Sequence, residues 1–144
     1  MKMHGISCKT HKGSGTVVYV AKDNVYLGAI SISDTIKEGA KKAIRKIKKA
    51  GVSKAIMLTG DRKEAALAVA AELQMDEVHY ELLPADKVAK VEELLTQAGK
   101  NEKIAFVGDG INDAPVLAGA DVGAAMGSGA DAAIEAADAV FMTS

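Results

Sequence analysis

The chain is predicted to be α/β, a doubly wound sheet of mostly parallel strands. Short, unbroken apolar runs alternate with stretches whose apolar residues recur every three or four positions, which is how buried strands and amphipathic helices follow one another in βαβ units. Three of the apolar runs end abruptly in polar residues, two of them with glycine among these, as strands do at the ligand-binding edge of such a sheet. Of 144 residues, 49% are hydrophobic and only 3% aromatic, with no Trp, so the core must be built from Ala, Val, Ile, Leu and Met. That length suits one domain, or one domain with a small appendage.

Taken in order, residues 1–15 are polar and rich in Lys, Gly and Ser, without a sustained period. His4, Cys8 and His11 form a loose group there, but a zinc site needs four converging ligands and this group offers three. Residues 16–21 and 25–33 are β-branched runs separated by Lys22-Asp23-Asn24, the pattern of a hairpin. Helical spacing of Ile36, Ala40, Ala43, Ile44 and Ile47 follows, with Gly51 expected just past the helix end. The opposite face carries Lys37, Lys41, Lys42, Arg45, Lys46, Lys48 and Lys49, which reads as a solvated surface.

Residues 54–58 form a second buried run, and the helix after it is expected to be capped by Asp61. A short strand near residues 78–80 leads to Pro84, a residue suited to the first turn of a helix, whose buried stripe is Val88, Val91, Leu94, Leu95 and Ala98. Residues 104–107 are the central strand, followed by a short helix over 114–118. A strand at 121–126, a glycine turn into a small helix, and a last strand near 139–142 complete the alternation.

Polar groups gather where the strands end. Asp109, Gly110, Asn112 and Asp113 follow the central strand directly, and two carboxylates with an amide suit a hard, oxygen-seeking cation such as Mg²⁺. The plainer alternative is a polar turn with Asp113 as a helix cap. Thr59-Gly60-Asp61 and Asp34 end two other strands, and Lys87 opens a helix between them. Hydroxyl, ammonium, amide and backbone N–H groups are the donors a phosphoryl group requires. Taken singly, Thr59 reads as a helix-start residue and Lys87 as a surface lysine.

The segments Met57-Leu-Thr-Gly-Asp61, Leu82-Leu-Pro-Ala-Asp-Lys87 and Gly108-Asp-Gly-Ile-Asn-Asp-Ala-Pro115 resemble the phosphorylation-domain motifs of P-type ATPases. Ala120-Asp-Val-Gly-Ala-Ala-Met-Gly127, Ala133-Ile-Glu-Ala-Ala-Asp138 and Gly28-Ala-Ile-Ser-Ile-Ser-Asp-Thr-Ile-Lys37 resemble the heavy-metal-transporting branch, cadmium/zinc/lead exporters above all. The resemblance runs over about residues 16–144. It implies a haloacid-dehalogenase-like fold, with residues 1–24 as the tail of a nucleotide-binding domain and 25–144 as the phosphorylation domain. It implies that Asp109 and Asp113 serve the catalytic Mg²⁺. Thr59, Gly60 and Asn112 would hydrogen-bond phosphoryl oxygens, Lys87 would pair with the phosphoryl charge, and Asp34 and Asp61 would stand behind them. ATP would be the substrate of the parent enzyme.

One departure from the family pattern stands out: the acceptor motif Asp-Lys-Thr-Gly-Thr does not occur in the sequence. The strand that carries it is therefore expected to be missing from the sheet, its place open to residues 25–33 or to a second copy of the chain. Without the attacking carboxylate, the chain alone is expected to be inactive. Two other readings remain open at this stage. One is a free-standing phosphatase using Asp34, although Asp34-Thr-Ile-Lys37 lacks a second aspartate two positions on. The other is a non-catalytic interaction or regulatory module that self-associates.

A formal net charge of −1 argues against nucleic acid or an anionic membrane as the main partner. No apolar stretch approaches the length of a membrane span. A lone cysteine excludes an intrachain disulfide and points to a reducing compartment. The chain is thus expected to be cytoplasmic, and the resemblance implies a parent in the cell membrane with this domain on the cytosolic side.

Overall fold

A computed structural model describes residues 16–32 and 35–142. The expected alternation is present. Strands β1 (Thr16–Lys22) and β2 (Val25–Ile32) precede helix α1 (Ala40–Lys49), strand β3 (Ile56–Leu58), helix α2 (Lys63–Leu73) and strand β4 (Glu77–His79). Helix α3 (Pro84–Gln97), strand β5 (Ala105–Gly108), helix α4 (Ala114–Gly119), strand β6 (Val122–Met126), helix α5 (Asp131–Ala136) and strand β7 (Ala139–Phe141) follow. None of the described helices is long and apolar enough to cross a membrane. His4, Cys8, His11 and Asp34 lie outside the described residues.

The chain divides into two compact units. One takes the described part of Met1–Met57 with Asp61–His79; the other takes Leu58–Gly60 with the described part of Tyr80–Ser144. In the first unit, β1 and β2 form an antiparallel hairpin whose two-residue turn places Asp23 at φ 49° and Asn24 at φ 63°. Both are left-handed, as a turn matched to strand twist requires, and Asp and Asn tolerate that region better than other side chains.

Helix α1 begins at Ala40, four residues after the apolar period begins at Ile36. Gly39, at φ 88°, breaks the backbone between them. Its C-terminus matches the expectation. The Gly51 N–H donates to the Lys48 carbonyl (3.2 Å) and the Val52 N–H to the Ile47 carbonyl (3.1 Å), with Gly51 left-handed at φ 110°. This is the paired closure that satisfies carbonyls orphaned at a helix end. Helix α2 corrects one expectation: the residue before its first turn is Arg62, not Asp61, and the Arg62 side chain makes no cap hydrogen bond.

The strands make three sheets rather than one: β1–β2, β3–β4 and β5–β6–β7. Residues 25–32 pair with β1, so they do not fill a gap among the other strands. Within the second unit, β5–β6 and β6–β7 are parallel, the first ending in the pair Gly108–Ala125. Leu117, Ala125 and Ala133 are fully buried and pack against Phe106 and Ile134, so α4, β5, β6 and α5 share one small core.

A recurring aspartate holds the strand starts in register. Asp121, just before β6, accepts the Ile104 N–H at 2.9 Å, and Asp138, just before β7, accepts the Gly123 N–H at 2.8 Å. In the first unit Asp76, just before β4, accepts the Ala55 N–H at 2.7 Å. Each satisfies a backbone donor at a neighbouring strand's edge that would otherwise have only water.

The Lys103 ammonium and then the Ile104 amide hold the Asp121 carboxyl below its ordinary value of 3.8; the Ala55 amide and then Lys48 do the same for Asp76. A depressed native pKa means stability that is present above pH 4 and is lost as pH falls through the native value. Asp121→Asn is therefore expected to flatten the decline of unfolding free energy below pH 4. Urea titrations at stepped pH would measure it, and an unchanged slope would contradict it.

Candidate phosphate and metal site

The second unit carries most of the residues singled out in the sequence. Strand β5 ends at Gly108, and the chain passes through Asp109 and Gly110 into a 3₁₀ turn over Ile111–Asp113 before α4 begins. Pro115 fits the start of α4, where a missing N–H costs nothing. This is the turn the sequence placed after its central strand.

Asp113 is the one buried charged residue among those described, 8% exposed. Its two oxygens are both engaged. Oδ1 accepts from the Lys87 Nζ at 2.8 Å, and Oδ2 accepts from the Gly110 N–H at 3.2 Å. The Asp113 N–H in turn donates to the Gly110 carbonyl at 3.0 Å, closing the turn on itself. Although Asp113 directly precedes α4, it makes no cap hydrogen bond to that helix. A charged pair with side chains 19% and 12% exposed holds its partners firmly, because neither ion has bulk water to fall back on.

Gly108 makes this close packing possible. A Cβ there would lie 2.9 Å from the Asp113 Cβ and 3.0 Å from the Phe106 ring. Any other residue would force Asp113 or the Phe106 ring to shift.

Lys87 reaches Asp113 from the first turn of α3. That turn is set by Pro84 and by Asp86, whose carboxylate accepts the Leu83 N–H at 2.8 Å. The same loop fixes Thr59 and Gly60: the Leu82 N–H donates to the Thr59 carbonyl at 3.1 Å, and a Cβ on Gly60 would meet the Leu82 carbonyl at 3.2 Å. Thr59 is half-buried and Gly60 exposed. Thr59-Gly60, the start of α3 and the loop after β5 are thus linked through two short segments of one unit.

Asp109 and Asn112 differ from Asp113. Both are exposed, and the Asp109 carboxylate takes no partner among the described residues. Its main chain is held instead, by the Ala130 N–H at 2.9 Å from the Asp109 carbonyl. Ala130 was not singled out in the sequence, where residues 127–130 read only as a glycine turn. Asp61 belongs to the other unit and is exposed.

The donor set suits Mg²⁺ better than a metal caged by protein. No group of three or more His, Cys, Asp or Glu side chains converges among the described residues. Mg²⁺ keeps several waters and takes one or two carboxylates with substrate phosphates, and Asp109, exposed and unpaired, offers such a carboxylate.

Residues 6–121 match the family model described as haloacid dehalogenase-like hydrolase, and the chain belongs to that family. Within it, the sequence is similar to heavy-metal-transporting P-type ATPases. It is 54% identical over 133 residues to the cadmium, zinc and cobalt-transporting ATPase of Bacillus subtilis (strain 168), covering 92% of this chain and 19% of that protein. It is 56% identical over 131 residues to the zinc-transporting ATPase of Synechocystis sp. (strain ATCC 27184 / PCC 6803 / Kazusa), covering 90% and 18%. Among solved structures, a zinc-transporting PIB-type ATPase in the E2.Pi state superimposes with a TM-score of 0.74 at 46% identity, over 85% of this chain and 20% of that one. The chain spans about a fifth of the length of these relatives.

Proposed function

We propose that the chain is the C-terminal part of the cytosolic catalytic region of an ATP-driven heavy-metal cation transporter of the cadmium/zinc type. In this reading residues 1–24 end the nucleotide-binding domain and 25–144 form the phosphorylation domain. The chain contributes the groups that hold Mg²⁺ and a phosphoryl group, while the acceptor aspartate and its strand come from another segment of the parent.

The observation that carries this reading is the loop after β5. It leaves the Asp109 carboxylate open beside a buried Lys87–Asp113 pair, and it starts where a parallel strand ends. Asp109 is the direct Mg²⁺ carboxylate. Asp113, its oxygens already taken, adds negative charge and keeps the loop closed. Thr59, Gly60 and Asn112 provide hydrogen-bond donors to phosphoryl oxygens. The Lys87 ammonium neutralises phosphoryl charge, and Asp34 and Asp61 keep the supporting roles that the family resemblance gives them. Bound Mg²⁺ would supply charge neutralisation at the phosphoryl oxygens.

The hairpin crosses the proposed boundary, since β1 pairs with β2 along its whole length. Val18, Val20, Leu27, Ile30 and Ile32 are all exposed, from 37% for Val20 to 62% for Leu27. Such an apolar surface is what a sheet presents when its neighbours belong to a further part of the protein.

In the parent, a carboxylate oxygen attacks the γ-phosphorus of ATP, the bond to the β-phosphate oxygen breaks and ADP leaves. This chain has no carboxylate in the acceptor motif, so incubation with γ-labelled ATP and Mg²⁺ is expected to give no acid-stable label. Label on any aspartate of the chain, Asp34 included, would contradict the assignment.

A further inference from the structure

The turn between β6 and α5 presses on the main chain of Asp109, and from this contact we infer that Gly129 and Ala130 are positioning residues for the metal-binding carboxylate. The inference rests on the reading of Asp109 as the Mg²⁺ ligand and extends it to a segment that the reading leaves without a role.

Asp109 stands one residue beyond the β5–β6 ladder, whose last pair is Gly108–Ala125. Among the described residues its carbonyl accepts from no neighbouring strand. The Ala130 N–H donates to it, at 2.9 Å. Gly129 lies so close that a Cβ there would sit 2.6 Å from the Asp109 carbonyl oxygen, 3.0 Å from the Asp109 Cα and 2.9 Å from the Met126 carbonyl oxygen. Those three atoms are main chain and have no flexible side chain to yield. Only glycine allows this approach.

The turn is itself anchored. The Gly129 N–H donates to the Met126 carbonyl at 2.8 Å, and the Gly127 N–H donates to the Phe141 carbonyl of β7 at 2.7 Å. From Ala130 the chain enters α5, where Ala133 is fully buried against Leu117 and Ala125. The core therefore fixes α5, α5 fixes Ala130, and Ala130 fixes the backbone from which the exposed Asp109 carboxylate projects. A ligand on a loop needs such support, because an error well under 1 Å in its placement weakens binding.

The test uses the full chain and Mn²⁺ as the probe, with affinity measured by water-proton relaxation. Gly129→Ala keeps the Ala130 donor and crowds Asp109. Ala130→Pro removes the donor at a backbone angle (φ −69°) that proline adopts. Both variants are expected to bind Mn²⁺ about tenfold or more weakly, the usual effect of losing support for a ligand. Both variants are also expected to lower the metal-free thermal midpoint, because the crowded atoms are main chain, so affinities are compared at a temperature where each variant is folded. In an Asp109→Asn background, Gly129→Ala is expected to cause no further loss, because it acts through Asp109.

Unchanged affinity in either folded variant, while Asp109→Asn abolishes binding, would overturn the positioning role and leave the metal assignment standing. Equal Mn²⁺ affinity in Asp109→Asn and the parent chain would overturn the metal assignment, and the positioning role with it.

Discussion

Replacing Lys87 by methionine is expected to destabilise the second unit by about 2–3 kcal/mol. The new side chain keeps the aliphatic stem and removes the charge. Asp113 is then left 8% exposed with one weak partner, the Gly110 N–H at 3.2 Å. Breaking one side of a buried ion pair costs roughly 3–5 kcal/mol, and the residual exposure of this pair brings the figure to the lower end or below. Urea unfolding would measure the loss. The double variant Lys87→Met/Asp113→Asn is expected to recover part of it, because the amide leaves no uncompensated charge. A single variant as stable as the parent chain would mean that the pair contributes nothing to the closed turn.

The opposite pattern is expected for Asp109→Asn. The side chain is exposed and unpaired among the described residues, so stability should change by no more than about 0.5 kcal/mol. Mn²⁺ affinity is expected to fall by at least about tenfold, because a neutral amide replaces the one open carboxylate of the loop. On the proposed reading Lys87 and Asp113 hold the turn as well as serving the phosphoryl group, whereas Asp109 bears on binding alone. Loss of stability with unchanged metal affinity in Asp109→Asn would reverse these roles.

The order of elements and the turn after the central strand are legible in the sequence because their signals are local. Asp23-Asn24 between β-branched runs marks a tight hairpin, Gly51 marks a helix end, and an apolar run stopping at Gly108 before Asp109 marks a strand edge. The start of α1 was misplaced because Ile36 shares the apolar period of the helix. It lines a groove with Ala40, Val69 and Leu73 without being helical, and Gly39 makes the break. Asp61 has the right residue type for a cap but stands one position too early.

Long-range features left no trace in sequence pattern. The bonds of Asp76, Asp121 and Asp138 to strand-start amides cross 21, 17 and 15 residues, and no periodicity encodes them. The same holds for Ala130 and Asp109. A run such as Met126-Gly-Ser-Gly-Ala130 shows that the backbone turns, but not what it turns against. Nor does propensity reveal that the strands divide into three sheets, since each run is a credible member of a single one.

NMR of the parent chain and Asp109→Asn, titrated with vanadate in the presence of Mg²⁺, tests whether the proposed residues form one phosphate site. If the chain carries a phosphate cradle that lacks only its nucleophile, shifts should gather at Thr59, Gly60, Lys87 and residues 109–113. They should disappear without Mg²⁺ or in Asp109→Asn. A well-dispersed spectrum that does not respond to vanadate, or shifts that survive in Asp109→Asn, would contradict it.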